Sequence, residues 1–251
     1  MPAWGALNPS RLRGLRRRAA RTPSINLNFQ SFFRRADGRR DPSGAGAGRD
    51  VEARAGGPYD RFAPHYDRLM RPLERRVLAR LRADLCARLP EGGRLLELGA
   101  GTGANFPFYP REARGAATEP SREMILRASA REGRPGGVRL FQAAAERLPF
   151  ADESFDAALA TLVFCSVASP AAAFAELRRV VRAGGRVLLL EHVRPPGLLG
   201  YVFDALNLLT VPLIEDHFNR RTADEARAAG LRVERVEPHL RGVIQLITCR
   251  A

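Results

Sequence analysis

The sequence predicts a doubly wound α/β domain with a mostly parallel sheet, and three observations predict it. Short, near-continuously apolar runs recur at Arg94–Leu98, Val138–Gln142, 155–167 ("FDAALATLVFCSV") and 185–193 ("GRVLLLEHV"). Segments with helical spacing or helix-start signals alternate with them. The first run ends in a glycine-rich turn, "GAGTG" at 99–103. Strands apolar on both faces need helices on both sides, which is the arrangement of parallel sheets.

The elements follow in order. From Tyr59 to Leu89 the apolar residues Leu69, Met70, Leu73, Val77, Leu78, Leu81, Leu85 and Leu89 keep helical spacing, with Pro72 marking a break or a new start. Arg94–Leu98 reads as a strand. A second strand ends at Thr118–Glu119, and a helix runs from Pro120 to about Ala130. Residues 138–142 and 155–167 read as strands, the second long and buried. Residues 169–182 form a helix with Ser169 as cap and Pro170 at the first position. After the strand at 185–193 comes an apolar insertion at 195–218, interrupted by Asp204, Asn207 and Pro212. A helix at 222–229 stops at Gly230, and strands lie near 231–237 and 243–249.

Charge divides the chain. All 41 basic residues are arginine, and the net charge is +14. Residues 1–57 hold 12 Arg against four acids, the remainder 29 against 23. The first segment, with "RLRGLRRRAAR" and "DPSGAGAGRD", has no steady apolar period and reads as a largely disordered basic extension. The folded domain is assigned to residues 58–251. Because the basic excess sits in the extension, a nucleic-acid-modifying enzyme or binder is the disfavoured alternative; it would need clustered charge and stacking aromatics on the folded face. Cys86, Cys165 and Cys249 lack metal-type spacing, so no disulfide framework or metal centre is expected, and a reducing cytoplasmic setting fits. No run is long and apolar enough for a transmembrane helix.

The glycine turn asks for a ligand. Gly99, Gly101 and Gly103 give G-x-G-x-G, with Ala100 between them, while the dinucleotide fingerprint places its third glycine one position later. Ala104 is tolerated by that fingerprint, so spacing alone leaves a nicotinamide dinucleotide open. Glu97 ahead of the turn disfavours a pyrophosphate and suits a cationic ligand such as S-adenosylmethionine. Glu119 ends the next strand, where a carboxylate can hydrogen-bond ribose hydroxyls. Taken singly, Glu97 reads equally well as a solvent-facing strand end and Glu119 as a helix N-terminal acid.

The motifs "LLELGAGTG", "ATEPS", "AAAERLPFADESFDAALATLVFCSV" and "LRRVVRAGGRVLLLEHV", in this order, resemble class I S-adenosylmethionine-dependent methyltransferases of the small-molecule and lipid branch. That branch includes ubiquinone/menaquinone and phospholipid N-methyltransferases. "TLVFCSV", "EHV" and "NRRTADEARAAGL" are similar to membrane-associated thiol methyltransferase-like proteins. The resemblance covers about residues 58–251. It implies a seven-stranded Rossmann-like sheet whose final strand is antiparallel, and S-adenosylmethionine as cofactor. It makes Glu97, Gly99, Gly101 and Gly103 the methionine-side contacts, with Ala100 and Asn105 also cofactor-binding, and Glu119 the ribose acid with Pro120 beside the adenine. Ala144, Ala145 and Glu146 would face the adenine, although the family commonly has Asp where Ala144 stands; Gln142 or backbone carbonyls would replace it. Phe164 and Cys165 would pass beneath the sulfonium, and Tyr66 belongs to a segment that closes over the cofactor.

Methyl transfer needs alignment and a dry cavity, and a base only when the acceptor must lose a proton. The candidate bases are His192, at the carboxyl end of a strand, and Asp216 with His217 in "EDHFNRR". The commoner fate of a lone histidine in such a place is simple packing. The apolar insertion, residues 197–214 above all, reads as a lid over a lipophilic acceptor or a peripheral contact with a membrane. A small-molecule or lipid acceptor (a lipid amine, a quinone precursor or a thiol) is therefore expected.

Overall fold

The computed structural model describes residues 58–214 and 216–251. The expected basic extension, residues 1–57, lies outside the described residues.

The chain opens with helix α1 (Pro58–Leu73), a π-helical turn (Glu74–Leu78) and α2 (Ala79–Cys86). Pro72 therefore lies inside a helix, and the irregularity expected there is the π turn that follows it. Strand β1 (Arg94–Leu98) leads to the glycine turn. It is followed by β2 (Arg114–Glu119), α3 (Arg122–Ala130), β3 (Gly137–Gln142), β4 (Phe155–Thr161), α4 (Pro170–Val180) and β5 (Val181–His192). The chain closes with α5 (Leu198–Ile214), α6 (Thr222–Ala228), β6 (Arg232–His239) and β7 (Ile244–Arg250).

The seven strands form one sheet in the order β3-β2-β1-β4-β5-β7-β6. β1 to β5 pair in parallel, and β7 inserts antiparallel between β5 and β6, as the family resemblance implied. Alternate residues of the central strands feed two cores. Leu96, Leu98, Val187 and Leu189 pack on one face with Phe164, Phe174 and Leu177, while Leu95, Leu188 and Leu190 pack on the other with Leu78, Leu81 and Leu85. This two-sided burial explains the near-continuous apolar runs.

Two boundaries differ from expectation. The run 155–167 is strand only to Thr161, because Leu162 takes a left-handed backbone conformation (φ 56°) and the chain turns across the carboxyl edge. β5 starts at Val181, earlier than 185. The insertion contains a single 17-residue helix, α5. Its polar interruptions fasten it to the body: Arg194 holds the Asp204 carboxylate through Nε at 3.0 Å and Nη2 at 2.7 Å, and Asn207 Oδ1 accepts the Phe218 N–H at 2.8 Å. No helix among the described residues is long and apolar enough to cross a membrane.

Candidate active site at the carboxyl edge of the sheet

The strand order reverses between β1 and β4, which opens a crevice beyond their carboxyl ends. One half of it is built on β1, β2 and β3. The glycine turn follows β1, and Gly99, Gly101 and Gly103 all have positive φ (64°, 55° and 80°). At Gly101 a Cβ would meet nothing within 4 Å, so space lies open over the middle of the turn. At Gly103 a Cβ would run into the Phe106 ring, so this glycine serves packing.

A buried polar network holds the turn from beneath. Glu97 is 1% exposed; its Oε1 accepts from the Asn105 side-chain amide at 2.6 Å and its Oε2 from the Tyr109 hydroxyl. Arg82, from α2, donates to Asn105 Oδ1 at 2.9 Å, to Thr161 Oγ1 at 2.6 Å and through Nε to Glu74 at 3.1 Å. Burial raises the Glu97 pKa against the lowering effect of Tyr109, Asn105 and Arg82. The strand register explains the position. Glu97 shares the Leu95 face of β1, which α2 covers with Arg82.

Glu119 ends β2 and stands at the turn itself. Its Oε2 accepts the Gly101 N–H at 2.9 Å and its Oε1 the Ser121 N–H at 3.0 Å. Burial pushes its pKa up to about 7, opposed by these two backbone bonds and reinforced by the charges of Glu97 and Asp60. Pro120 and Gln142 adjoin it, the Gln142 amide donating to Pro120 O at 3.0 Å. Ala144 is half-buried and Ala145 buried in the next turn. The Glu146 carboxylate is taken by the N–H groups of Ala168 and Ser169, at 2.8 and 3.2 Å, just before α4.

α1 docks across this half. Ser121 Oγ donates to Asp60, Thr102 Oγ1 donates to Asp67 at 2.6 Å, and Arg131 pairs with Asp67 at 3.1 Å. Tyr66, on the same helix, has its pKa pushed up to about 12, chiefly by burial. Arg82 opposes that shift, while Cys165, Glu119 and Asp216 add to it.

The other half is built on β4, β5 and the segment after α5. Glu191, fully buried, accepts the backbone N–H of Val163 at 3.0 Å and of Phe164 at 3.2 Å and so fixes the turn at the end of β4. Burial lifts its pKa to about 8. Phe164 points away from the crevice and stacks on Phe174 at 4.1 Å, leaving its backbone at the edge. Cys165, His192 and Asp216 converge: one ligating atom from each lies within 4.8 Å of the others. His192 Nε2 stands 3.7 Å from Asp216 Oδ1, and the imidazole stacks on Phe218 at 4.5 Å. The imidazole of His192 and the thiol of Cys165 hold the Asp216 pKa below the usual carboxylate value despite burial. The Cys165 thiol is pushed well above its ordinary range by burial and by Asp216 and Glu191.

His217 does not join this trio. Its backbone N–H bonds Cys165 O at 2.9 Å, but its side chain lines a separate cavity with Arg194, Asp204 and Arg220. Burial and Arg220 lower its pKa. Sequence reasoning missed Arg82, Tyr109, Thr161 and Glu191. The one available signal was an acid, Glu191, inside an otherwise apolar strand; an arginine on an amphipathic helix carries none.

Comparison with known proteins agrees with this architecture. The methyltransferase-domain family model matches residues 96–189. The human thiol S-methyltransferase TMT1B is 43% identical over 106 residues, covering 41% of this chain and 43% of that protein. The phosphatidylethanolamine N-methyltransferase of Cereibacter sphaeroides is 36% identical over 119 residues, 46% of this chain and 59% of that protein. The chain thus spans less than two thirds of these curated relatives. A crystal structure of an S-adenosylmethionine-dependent methyltransferase from Thermotoga maritima superposes with a TM-score of 0.61 at 28% identity, over 77% of this chain and 98% of that one. With a glycine turn over a buried acid, a second acid ending β2 and this sheet order, the chain carries a methyltransferase domain over residues 96–189 and resembles S-adenosylmethionine-dependent methyltransferases in fold.

Proposed function

We propose that the protein transfers a methyl group from S-adenosylmethionine to a small lipophilic acceptor. The observation that carries this reading is the division of one crevice between two chemistries. An open glycine turn with a carboxylate lies on one side, and a half-buried histidine–aspartate pair beside a buried cysteine lies on the other.

The residues present fit the cofactor. The space over Gly101 admits a ligand close to the main chain, and Glu119 keeps acceptor capacity for ribose hydroxyls beyond its two backbone bonds. Pro120, Gln142 and Ala144 would border the adenine. When bound, the cofactor supplies an electrophilic methyl carbon on a sulfonium. Glu97, enclosed by Tyr109 and Asn105, supports the turn from below; this reading replaces the direct ammonium contact expected from the sequence. Asn105 likewise acts through Glu97 and Thr161.

On the acceptor side, His192 lies 3.7 Å from the Asp216 carboxylate, and without a metal its imidazole is the group placed to take the proton of an acceptor that must lose one. His217 is left to the neighbouring cavity. The relatives named for thiols and for a phospholipid amine favour a lipophilic acceptor. The face of α5 supports it: Leu198, Tyr201, Val202 and Leu208 are 85%, 68%, 60% and 78% exposed. We infer that this face rests on a lipid surface from which the acceptor is drawn.

The test incubates the full chain with radiolabelled cofactor and a panel of alkyl thiols, lipid amines and quinols. Transfer to at least one class is expected. Glu119→Ala should weaken cofactor binding by about 10–100-fold in calorimetry, the value of hydrogen bonds to a charged group. Cofactor affinity unchanged in that variant, or preferential binding of a nicotinamide dinucleotide, would refute the assignment.

A further inference from the structure

We propose that Cys165, His192 and Asp216 form a three-ligand zinc site, and that a thiol acceptor occupies the fourth position as its thiolate. The second clause rests on the methyl-transfer reading above; the first does not.

The geometry suits a metal better than a hydrogen-bonded dyad. His192 Nε2 and Asp216 Oδ1 are 3.7 Å apart, too far for a hydrogen bond. That spacing is close to the edge of a tetrahedron, roughly 3.4 Å for zinc bonds of about 2.0–2.2 Å to nitrogen and oxygen. The sulfur belongs to the same cluster, all three atoms lying within 4.8 Å of one another. Both ring nitrogens of His192 are buried without a hydrogen-bond partner. Buried polar atoms are ordinarily satisfied, so an imidazole with two orphaned nitrogens beside a thiol and a carboxylate has capacity left for a ligand.

The donor set selects the ion. Thiolate, imidazole and carboxylate together match zinc, whereas magnesium and calcium prefer oxygen alone. Deprotonated Cys165 and Asp216 would neutralise a divalent cation, which removes the cost of burying net charge.

The three ligands come from separate segments, yet the fold fixes each one. Glu191 clamps the turn bearing Cys165 through the Val163 and Phe164 N–H groups. The His217 N–H to Cys165 O bond, at 2.9 Å, ties the Asp216 segment to that turn. Phe218 sets the plane of the His192 ring by stacking. Support of this kind is what metal ligands require to keep their geometry. No linear spacing of ligand residues announces such a site, so cysteine spacing led to an expectation of no metal centre.

Three protein ligands leave one coordination position free, the pattern of catalytic rather than structural zinc. With the His192 nitrogen coordinated, metal capture replaces proton transfer to that imidazole for a thiol: the thiol entering the free position breaks its S–H bond, releases the proton to solvent and forms a zinc–sulfur bond. No electron changes hands, and the sulfur keeps a lone pair for the methyl carbon. An amine gains much less, because a metal ion would tie up its lone pair.

Cobalt(II) reads the site directly. The full chain, stripped with a chelator, is titrated with cobalt chloride and followed by absorption. One equivalent should bind with a thiolate-to-cobalt charge-transfer band and tetrahedral d–d bands, and zinc should abolish both. An alkyl thiol should shift the bands, while the alcohol of equal length should not. Cys165→Ser should lose the charge-transfer band. His192→Asn and Asp216→Asn should weaken zinc binding by about a hundredfold or more, beyond what changes to supporting residues cost. Absence of the band in the wild-type chain, or its persistence in Cys165→Ser, would overturn the site irrespective of how the variants fold. Thiol methylation unchanged after stripping would overturn the metal's role in capture. Calorimetry with S-adenosylmethionine on the stripped chain is the separate control: no cofactor binding alongside intact cobalt bands sinks the methyl-transfer reading and leaves the metal site standing.

Discussion

The two halves of the crevice treat buried polar groups in opposite ways. On the glycine-turn side, Glu97, Asn105, Thr161 and Arg82 bond to one another, and both Glu119 oxygens hold backbone N–H groups. Across the crevice, both ring nitrogens of His192 are buried without hydrogen-bond partners. A satisfied network rigidifies, while orphaned groups carry a desolvation cost that a ligand can relieve. The first half is thus held rigid by its own bonds, and the second keeps hydrogen-bonding capacity that the protein itself does not meet.

The sharpest way to break the contrast is to remove the cation under the glycine turn. Arg82 joins four groups from four places in the chain: Glu74, Asn105, Thr161 and, through Asn105, Glu97. Arg82→Met should destabilise the fold by about 3–5 kcal/mol, because it leaves Glu97 and Glu74 without compensation. Urea unfolding measures this. A loss below about 1 kcal/mol would mean that the network is not a structural keystone.

Next in size is a pH effect on the same side. Glu119 has an ordinary value of 4.5 and a folded value of about 7. The folded state therefore favours the protonated acid. The associated stability is complete below about 4.5 and disappears as pH rises through about 7, amounting to about 2–4 kcal/mol. Glu191, lifted to about 8, acts in the same direction. Denaturation midpoints of the cofactor-free chain should fall between pH 5 and 8, and Glu119→Gln should flatten part of that slope. Cofactor affinity should run the other way, rising toward pH 8, because ribose hydroxyls need an ionised acceptor. Parallel slopes for stability and affinity would count against Glu119 as the ribose acid.

The glycines separate the turn's open side from its packing. Gly103→Ala drives a methyl into Phe106 and should cost about 1–3 kcal/mol of stability. Gly101→Ala meets open space, so its stability cost should stay near the ~1 kcal/mol of a left-handed alanine, while cofactor affinity falls. Thermal melts and calorimetry on the pair should give opposite rankings. Equal affinity losses would place the ligand elsewhere than over Gly101.

The sequence foretold the first half better than the second for a physical reason. β1, the turn, Glu119 and the capped helix at 169–182 are local: spacing, glycines and a serine cap all speak within a few residues, and Ser169 does cap its helix, as the unforeseen Ser121 caps the one before β3. The groups that enclose Glu97, Tyr109 and, through Asn105, Arg82, lie in other elements and carry no motif, so the sequence did not show them. On the acceptor side nothing is local. Cys165, His192 and Asp216 are brought together by two strand ends and the return from α5. The polar residues that seemed to interrupt α5 instead anchor it, Asp204 to Arg194 and Asn207 to Phe218, and a single strand pattern cannot foresee partners beyond its own element.

The smallest effect on folding should come from the outer face of α5, and it sharpens the contrast from the acceptor side. Leu198 and Leu208 are 85% and 78% exposed. A glutamate at either position removes little packing, so Leu198→Glu with Leu208→Glu should change stability by no more than about 0.5 kcal/mol. If the face rests on lipid, the same change should cut cosedimentation with phosphatidylcholine–phosphatidylglycerol vesicles by about tenfold or more, since each exposed leucine otherwise buries its side chain in the interface at about 1.5–3 kcal/mol. Methyl transfer to a water-soluble short-chain thiol should survive, because the crevice residues are untouched. Transfer to a vesicle-borne acceptor should fall with the sedimented fraction. A drop in stability well above 1 kcal/mol would show that the face packs within the protein. Undiminished vesicle binding in a stable double variant would detach the membrane from this helix and leave the acceptor to reach His192 through water.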